Sequence, residues 1–213
     1  MATHRVRSEA VEIAVFARAP LAGQAKTRLI PALGAAAAAR LQRRLTLHAL
    51  DVARRAATGE VTLWCAPDRQ QRFFRALHDR RRIETRSQTG KDLGQRMANA
   101  FAEHAGALLL IGTDCPALTT GHLSAAADAL HNGHDAVFIP AEDGGYVLVG
   151  LRCPQPRLFE GIDWGSGMVM AQTRERLAAQ GLRWVEPATL WDVDRPDDLC
   201  RLAALEGFAR WHR

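Results

Sequence analysis

The chain has 213 residues, 47% of them hydrophobic, and a formal net charge of +5. That size suits one domain with a sizeable core, and no apolar run approaches the roughly 20 residues that a membrane-spanning helix needs. The four cysteines, Cys65, Cys115, Cys153 and Cys200, are widely spaced with no CxxC pair, which argues against a zinc ribbon or a disulfide framework and suits a reducing, cytoplasmic compartment.

Residues 1–10 read as a short flexible leader, because their basic start and the interruption at Glu12 fit no secretory signal. "VEIAVFA" (Val11 to Ala17) reads as a buried strand and Ala35 to Ala56 as a long amphipathic helix. A strand over Glu60 to Ala66, a helix around Phe73 to Leu77 and a short strand near Ile83 follow. The basic run "RQQRFFRALHDRRR" (Arg69 to Arg82) fits the solvated face of that helix and resembles no nucleic-acid module, so no nucleic-acid partner is expected. Then come a helix from Leu93 to His104, a strand "ALLLIG" (Ala107 to Gly112) and a helix from Thr119 to His131. His131 and His134 in "HNGH" have a ligand-like spacing but sit in a turn-like Gly/Asn context. A strand over Asp135 to Ala141, a further strand at Tyr146 to Leu151, and helices at Gly167 to Gln180 and Pro196 to Leu205 complete the chain. Continuous apolar strands alternating with helices predict an α/β domain with a mainly parallel sheet covered on both faces. Ligands of such sheets gather at the carboxyl ends of the strands, so the loops after Ala17, Ile111 and Ile139 are the ones to inspect.

The first loop, "FARAPLAGQAKTRL", has a glycine and a Lys-Thr-Arg after a strand but lacks the glycine before the lysine that a Walker A motif requires. It reads as a looser phosphate grip, with Gly23 opening the backbone and Lys26 and Arg28 supplying charge, or as a basic turn. Only two of the 28 basic residues are lysine, Lys26 and Lys91, and both stand in Gly-containing loops. In "IGTDCPAL", Asp114 follows an apolar strand and could hold Mg²⁺ or cap a helix, although Thr119 or Thr120 makes the more natural cap. "PAEDGGYVLVG" joins Asp143, Gly144, Gly145 and Tyr146 in what is either a tight turn or a ligand contact. "QTGKDLGQRM" is a Gly-containing turn leading into a helix. In "WDVDRPDDL", Asp194 could cap the last helix, ligate a metal, or do both.

The ordered set "FARAPLAGQAKTRL", "QTGKDLGQRM", "IGTDCPALT", "PAEDGGYVLVGL", "FEGIDWGSGMVMAQT" and "DVDRPDDL" resembles the DUF2064 family. That family belongs to the glycosyltransferase-A-type, nucleotide-diphospho-sugar transferase superfamily, with MobA-like and phospholactate guanylyltransferase proteins. The match runs from about Val11 to Leu205, with Arg18 where a lysine is usual, "WGSG" in place of Trp-Ser-Thr, and Val147 in place of a second tyrosine. The resemblance implies a three-layer α/β/α sandwich. It implies that Lys26 and Arg28, supported by Arg18, Gly23 and Thr27, grip nucleotide phosphates. Asp114 would bind the metal, Mg²⁺ or Mn²⁺, with Asp194 as a second ligand. Gln88 and Gly90 would lie near the base, and Asp143, Gly144, Gly145, Tyr146 and Trp164 would face a small-molecule acceptor.

The expected activity is metal-dependent transfer from an activated nucleotide, with Lys26, Arg28 and Asp114 in the catalytic roles. The "KTRL" loop and the absence of a DxD at Asp114-Cys-Pro favour nucleotidyl transfer from an NTP. Glycosyl transfer from an NDP-sugar is the alternative, and a non-catalytic nucleotide-binding protein the contrasting class.

Overall fold

The computed structural model describes residues 10–209, so the expected leader lies almost wholly outside the described residues. The first strand, β1 (Glu12–Arg18), leads through a 3-10 turn at Thr27–Leu29 and a short helix α1 (Ile30–Leu33) into α2 (Ala35–Ala56). There follow β2 (Val61–Ala66), α3 (Arg72–Arg81), β3 (Glu84–Ser87), α4 (Leu93–Ala102), β4 (Leu108–Ile111) and α5 (Thr120–His131). The remainder comprises β5 (Ala136–Pro140), β6 (Tyr146–Leu151), a 3-10 turn at Pro156–Phe159, α6 (Val169–Ala179), β7 (Trp184–Val185) and α7 (Asp198–Ala204).

The strands form one sheet in the order β3-β2-β1-β4-β6-β5-β7. Its pairings are parallel except that β6 runs antiparallel to both β4 and β5. Alternate strand residues feed two cores. Ile13, Val15, Leu63, Leu109, Ile111 and Val137 pack under α2, α3 and α5, while Ala14, Phe16, Trp64, Leu110, Phe138 and Val149 pack under α4 and α6. Coverage on both faces is why these strands read as unbroken apolar runs. The result is the three-layer α/β/α sandwich with a mainly parallel sheet that the sequence predicts.

Local signals set several boundaries. Thr119 caps α5: its hydroxyl accepts the His122 N–H, and His122 Nδ1 accepts the Thr119 N–H, forming a reciprocal box. Asp92 does the same for α4 by accepting from the Gln95 N–H at 2.8 Å. Of the roles open to Asp194, the cap is not made. The helix starts later, at Asp198, and the Asp198 carboxylate reaches back to accept from the Asp194 and Arg195 N–H groups at 2.9 and 2.6 Å. The Asp194 carboxylate is thereby left for another partner.

A third, smaller cluster positions the first loop. Leu29 behind the first loop, Leu41 and Leu45 of α2, Val193, and Leu202 of α7 are all buried together. Burying an aliphatic side chain of this kind stabilises by roughly 1.5–3 kcal/mol. The cluster therefore holds the first loop against a segment from the far end of the chain.

Candidate functional site

At the carboxyl ends of β1 and β4 lies a cleft of about 730 Å³. The first loop, the start of α4, the turn after β4, the start of β6 and the segment before α7 all contribute to it. Arg18, Lys26, Thr27, Arg28, Gln88, Asp114, Tyr146 and Asp194 of the expected residues line it.

Lys26 has a left-handed backbone, φ 50° and ψ 47°, a conformation costing a non-glycine residue roughly 1–2 kcal/mol. The bend turns its side chain inward, where it is 3% exposed. There Nζ lies 2.9 Å from Asp114 Oδ2 and donates to the Val193 carbonyl at 2.5 Å. The Asp114 carbonyl in turn accepts the Val193 N–H at 2.8 Å, and Asp114 Oδ1 accepts from the Thr113 hydroxyl at 3.2 Å. Gln42 of α2 donates from Nε2 to the Thr113 oxygen at 3.0 Å. One lysine thus ties the first loop, the loop after β4 and the 192–194 segment into a single unit. Of the three donors an ammonium has, Lys26 spends two on the protein itself.

Arg28 behaves oppositely. Its side chain is 64% exposed and pairs with Asp194, whose hydrogen bond and charge raise the pKa of the guanidinium further. Most of its five N–H donors remain directed to the cleft side or to solvent. Arg18, at the end of β1, is exposed on the same rim.

The carboxylates are concentrated here. Asp192 is half-buried, and burial together with Asp143, Asp114 and Asp194 pushes its carboxyl up to about 6, with Lys26 opposing. Sequence reasoning left Asp192 out of the expected ligands. The signal was present in "DVD", since i and i+2 of an extended segment project to the same side. Arg96 of α4 is a second lining residue not anticipated; its Nε donates to the Gly90 carbonyl at 3.2 Å.

Other expected residues take structural parts. Gln88 Nε2 donates to the Ala17 and Trp64 carbonyls at 3.3 and 2.9 Å, clamping the ends of β1 and β2 at the cleft wall. Gly90 and Gly23 stand in turns outside the cleft's lining, and so does Lys91, which is exposed. Asp143 Oδ1 accepts the Gly145 N–H at 2.9 Å, so Asp143 to Gly145 form a tight turn. Gly144 has φ +91°, and a Cβ there would stand 2.0 Å from the Gly167 carbonyl oxygen. Its bareness seats the 165–168 loop. The Tyr146 ring lines the cleft, but its hydroxyl points to Met97 Sδ at 3.8 Å, and burial raises its pKa. Trp164 packs over Gly94 and edge-on against Tyr146, behind the lining.

Among the described residues, no group of three or more His, Cys, Asp or Glu side chains is arranged to hold a metal ion. His134 Nδ1 contacts the Ala129 carbonyl at 3.1 Å. Nor is any helix among them long and apolar enough to cross a membrane.

The model of a family described as "Uncharacterized protein conserved in bacteria (DUF2064)" matches residues 49–166. The chain belongs to the DUF2064 family. No curated protein matches it, but solved structures do. This DUF2064 protein is 28% identical to a protein of Desulfovibrio desulfuricans G20, provisionally described as a nucleotide-diphospho-sugar transferase. The alignment covers 94% of this chain and 90% of that one, with a TM-score of 0.83. A Methanothermobacter nucleotidyl transferase shares the fold at 14% identity and a TM-score of 0.60, covering 91% and 95% of the two chains. So does a CMP:2-keto-3-deoxy-manno-octonic acid synthetase solved with CTP, at 12% identity and 0.55, covering 91% and 97%.

Proposed function

We propose that this DUF2064 protein is a transferase acting on an activated nucleotide, most simply nucleotidyl transfer from an NTP to a small acceptor. The observation carrying this reading is the division of labour between Lys26 and Arg28. Lys26 is locked inward and fixes Asp114, while Arg28 and Arg18 keep donors for an incoming polyanion. Fixed cations beside a cleft at the carboxyl ends of parallel strands stabilise negative charge where it develops on phosphate oxygens. The described relatives named for nucleotide chemistry, above all the 28% identical one, support the same class.

A divalent cation fits this donor set in one way. Mg²⁺ is commonly held by one or two carboxylates with substrate phosphates filling the remaining positions, and the cleft offers Asp114 and Asp194, with Asp192 between them in the chain. The three are not arranged as a closed protein cage, so the ion would arrive with the nucleotide. When bound, Mg²⁺ or Mn²⁺ would neutralise charge on the phosphates and polarise the phosphorus under attack. Lys26 would keep Asp114 oriented, and Arg28, released from Asp194, would swing onto the phosphates. The half-apolar wall of Phe16, Leu93, Tyr146 and Val147 would position the base or the acceptor.

Glycosyl transfer from an NDP-sugar is the second reading, favoured by the description of the Desulfovibrio protein. Thermal shift with each NTP and each NDP-sugar, with and without Mg²⁺, separates them. Saturating ligand at about 100 times Kd should add about 2.7 kcal/mol of stability. A Mg²⁺-dependent shift with an NTP and none with NDP-sugars supports nucleotidyl transfer, and the reverse pattern overturns it. Pyrophosphate release with candidate acceptors then distinguishes an enzyme from a binding protein.

A further inference from the structure

The first loop faces two hollows. Its Lys26–Arg28 stretch borders the cleft, and its earlier residues, Ala19 to Ala22, line a separate groove of about 720 Å³ between α2 and α3. The two share no lining residue. Leu21 and Phe73 form an apolar floor, and Arg40, Arg43, Arg72 and Arg80 stand around it. Among the described residues, no carboxylate lines this groove.

Four arginines converge on this one hollow. Several arginines elsewhere are matched: Arg81, adjacent to Arg80, pairs with Asp51 at 3.0 Å, and Arg86, Arg152, Arg174 and Arg201 pair with their own carboxylates. Among the described residues, the side chains of Arg40, Arg72 and Arg80 make no ion pair or hydrogen bond, and Arg43 lies over the Phe73 ring at 5.7 Å. Four guanidinium groups around one concavity repel each other unless an anion joins them, and guanidinium forks match phosphate and related oxyanions. The floor asks for something that bare phosphate lacks, an apolar body. The volume is that of a small-molecule pocket, and the hollow is concave, unlike the flat face that a bilayer surface needs.

We propose that this groove binds a small soluble anion with an apolar body, of the alkyl phosphate type, with its charged end among Arg40, Arg43, Arg72 and Arg80 and its body on Leu21 and Phe73. The proposal is independent of the reaction carried out in the cleft.

The test uses the whole chain and a fluorescent probe of this chemistry, 1-anilinonaphthalene-8-sulfonate, with monomeric dodecyl phosphate as competitor. Saturable fluorescence enhancement displaced by dodecyl phosphate is expected. It should weaken by about tenfold or more in Arg43→Gln/Arg72→Gln, as expected for losing charge-assisted hydrogen bonds, and persist in the cleft variant Arg28→Ala. The uncharged N-phenyl-1-naphthylamine should bind at least about tenfold more weakly, for the same reason. Absence of a saturable signal, equal binding by the double variant, or loss in Arg28→Ala would overturn the assignment. If the double variant loses its native circular dichroism, Ala36→Trp, which fills the groove from an exposed helix position and keeps every charge, should abolish binding, and unchanged binding overturns the proposal. Co-sedimentation with phosphatidylglycerol vesicles without binding of either soluble anion would assign the groove to a lipid surface instead and sink the proposal.

Discussion

Lys26 Nζ and the Val193 carbonyl oxygen meet at 2.5 Å, although 167 residues separate them in the chain. The contact joins the loop after the first strand to the segment before the last helix, and Asp114 completes it from the middle of the sheet. A cleft built from three distant pieces is thus held in shape by one buried ammonium, whose removal should be felt in both folding and binding.

Lys26→Met keeps the length of the side chain but leaves the Val193 carbonyl and the Asp114 carboxylate without their partner. Since Asp114 is 46% exposed, water can recover part of the loss, and a destabilisation of about 2 kcal/mol is expected. Urea unfolding measures it. An unchanged midpoint would mean that the lysine does not clamp the cleft.

Arg28→Ala should separate binding from folding. The pair with Asp194 is largely solvated, so the urea midpoint should scarcely move. The thermal shift produced by Mg²⁺-nucleotide should fall sharply in the same variant. Asp194→Asn frees Arg28 without removing it, so nucleotide retained in Asp194→Asn when Mg²⁺ is left out, and lost in Arg28→Ala, would identify Arg28 as the phosphate contact.

Two glycines with similar backbones should respond differently to alanine. Gly23 has φ +82° with nothing within 4 Å of the added Cβ, so Gly23→Ala should cost only the backbone conformation, about 1–2 kcal/mol. Gly144→Ala adds a collision with the Gly167 backbone, a 2.0 Å contact that no side-chain movement relieves. A cost above about 3 kcal/mol is expected there. Melting temperatures of the two variants, measured side by side, check the ranking.

Asp135 should add acid sensitivity at the far end of the sheet. Its carboxylate accepts the Arg183 N–H at 3.0 Å and pairs with Arg152 at 2.5 Å, and these contacts lower its pKa, the Arg183 bond most of all. A lowered folded-state pKa means that the stabilisation is complete above the unfolded value of about 3.9 and fades as pH falls through the folded one. Asp135→Asn should therefore be less stable than the parent at pH 7, and their melting temperatures should converge as pH drops below about 4. A gap that stays constant down to pH 3 would count against this carboxylate as the source.

Much of the fold was legible because its signals are local. The apolar runs, the α2 boundaries at Ala35 and Ala56 and the Thr119 cap follow from neighbouring residues and elementary turn chemistry. The two-residue β7 was missed because Trp184 and Val185 are half-buried and too few for a pattern. Asp194 read as a cap, a metal ligand or both because Asp-x-Pro often opens a helix, whereas α7 starts only at Asp198, whose carboxylate accepts from the Asp194 and Arg195 N–H groups. Within the cleft, the loops were legible as loops, but Asp192 and Arg96 were not. Their importance depends on the carboxylates and cations brought beside them from other elements.

By itself, then, the sequence determined the alternation of strand and helix, the three chemically unusual loops and the charge they carry, since each depends on residues close in the chain. The tertiary structure decided that β6 runs against its neighbours, that Lys26 turns inward to hold Asp114 and Val193, and that Arg28 remains outside with donors to spare. Both cations stand in the same four-residue "KTRL". Only the left-handed bend at Lys26 and the apolar anchor of Leu29 on Val193 separate a buried clamp from an exposed grip.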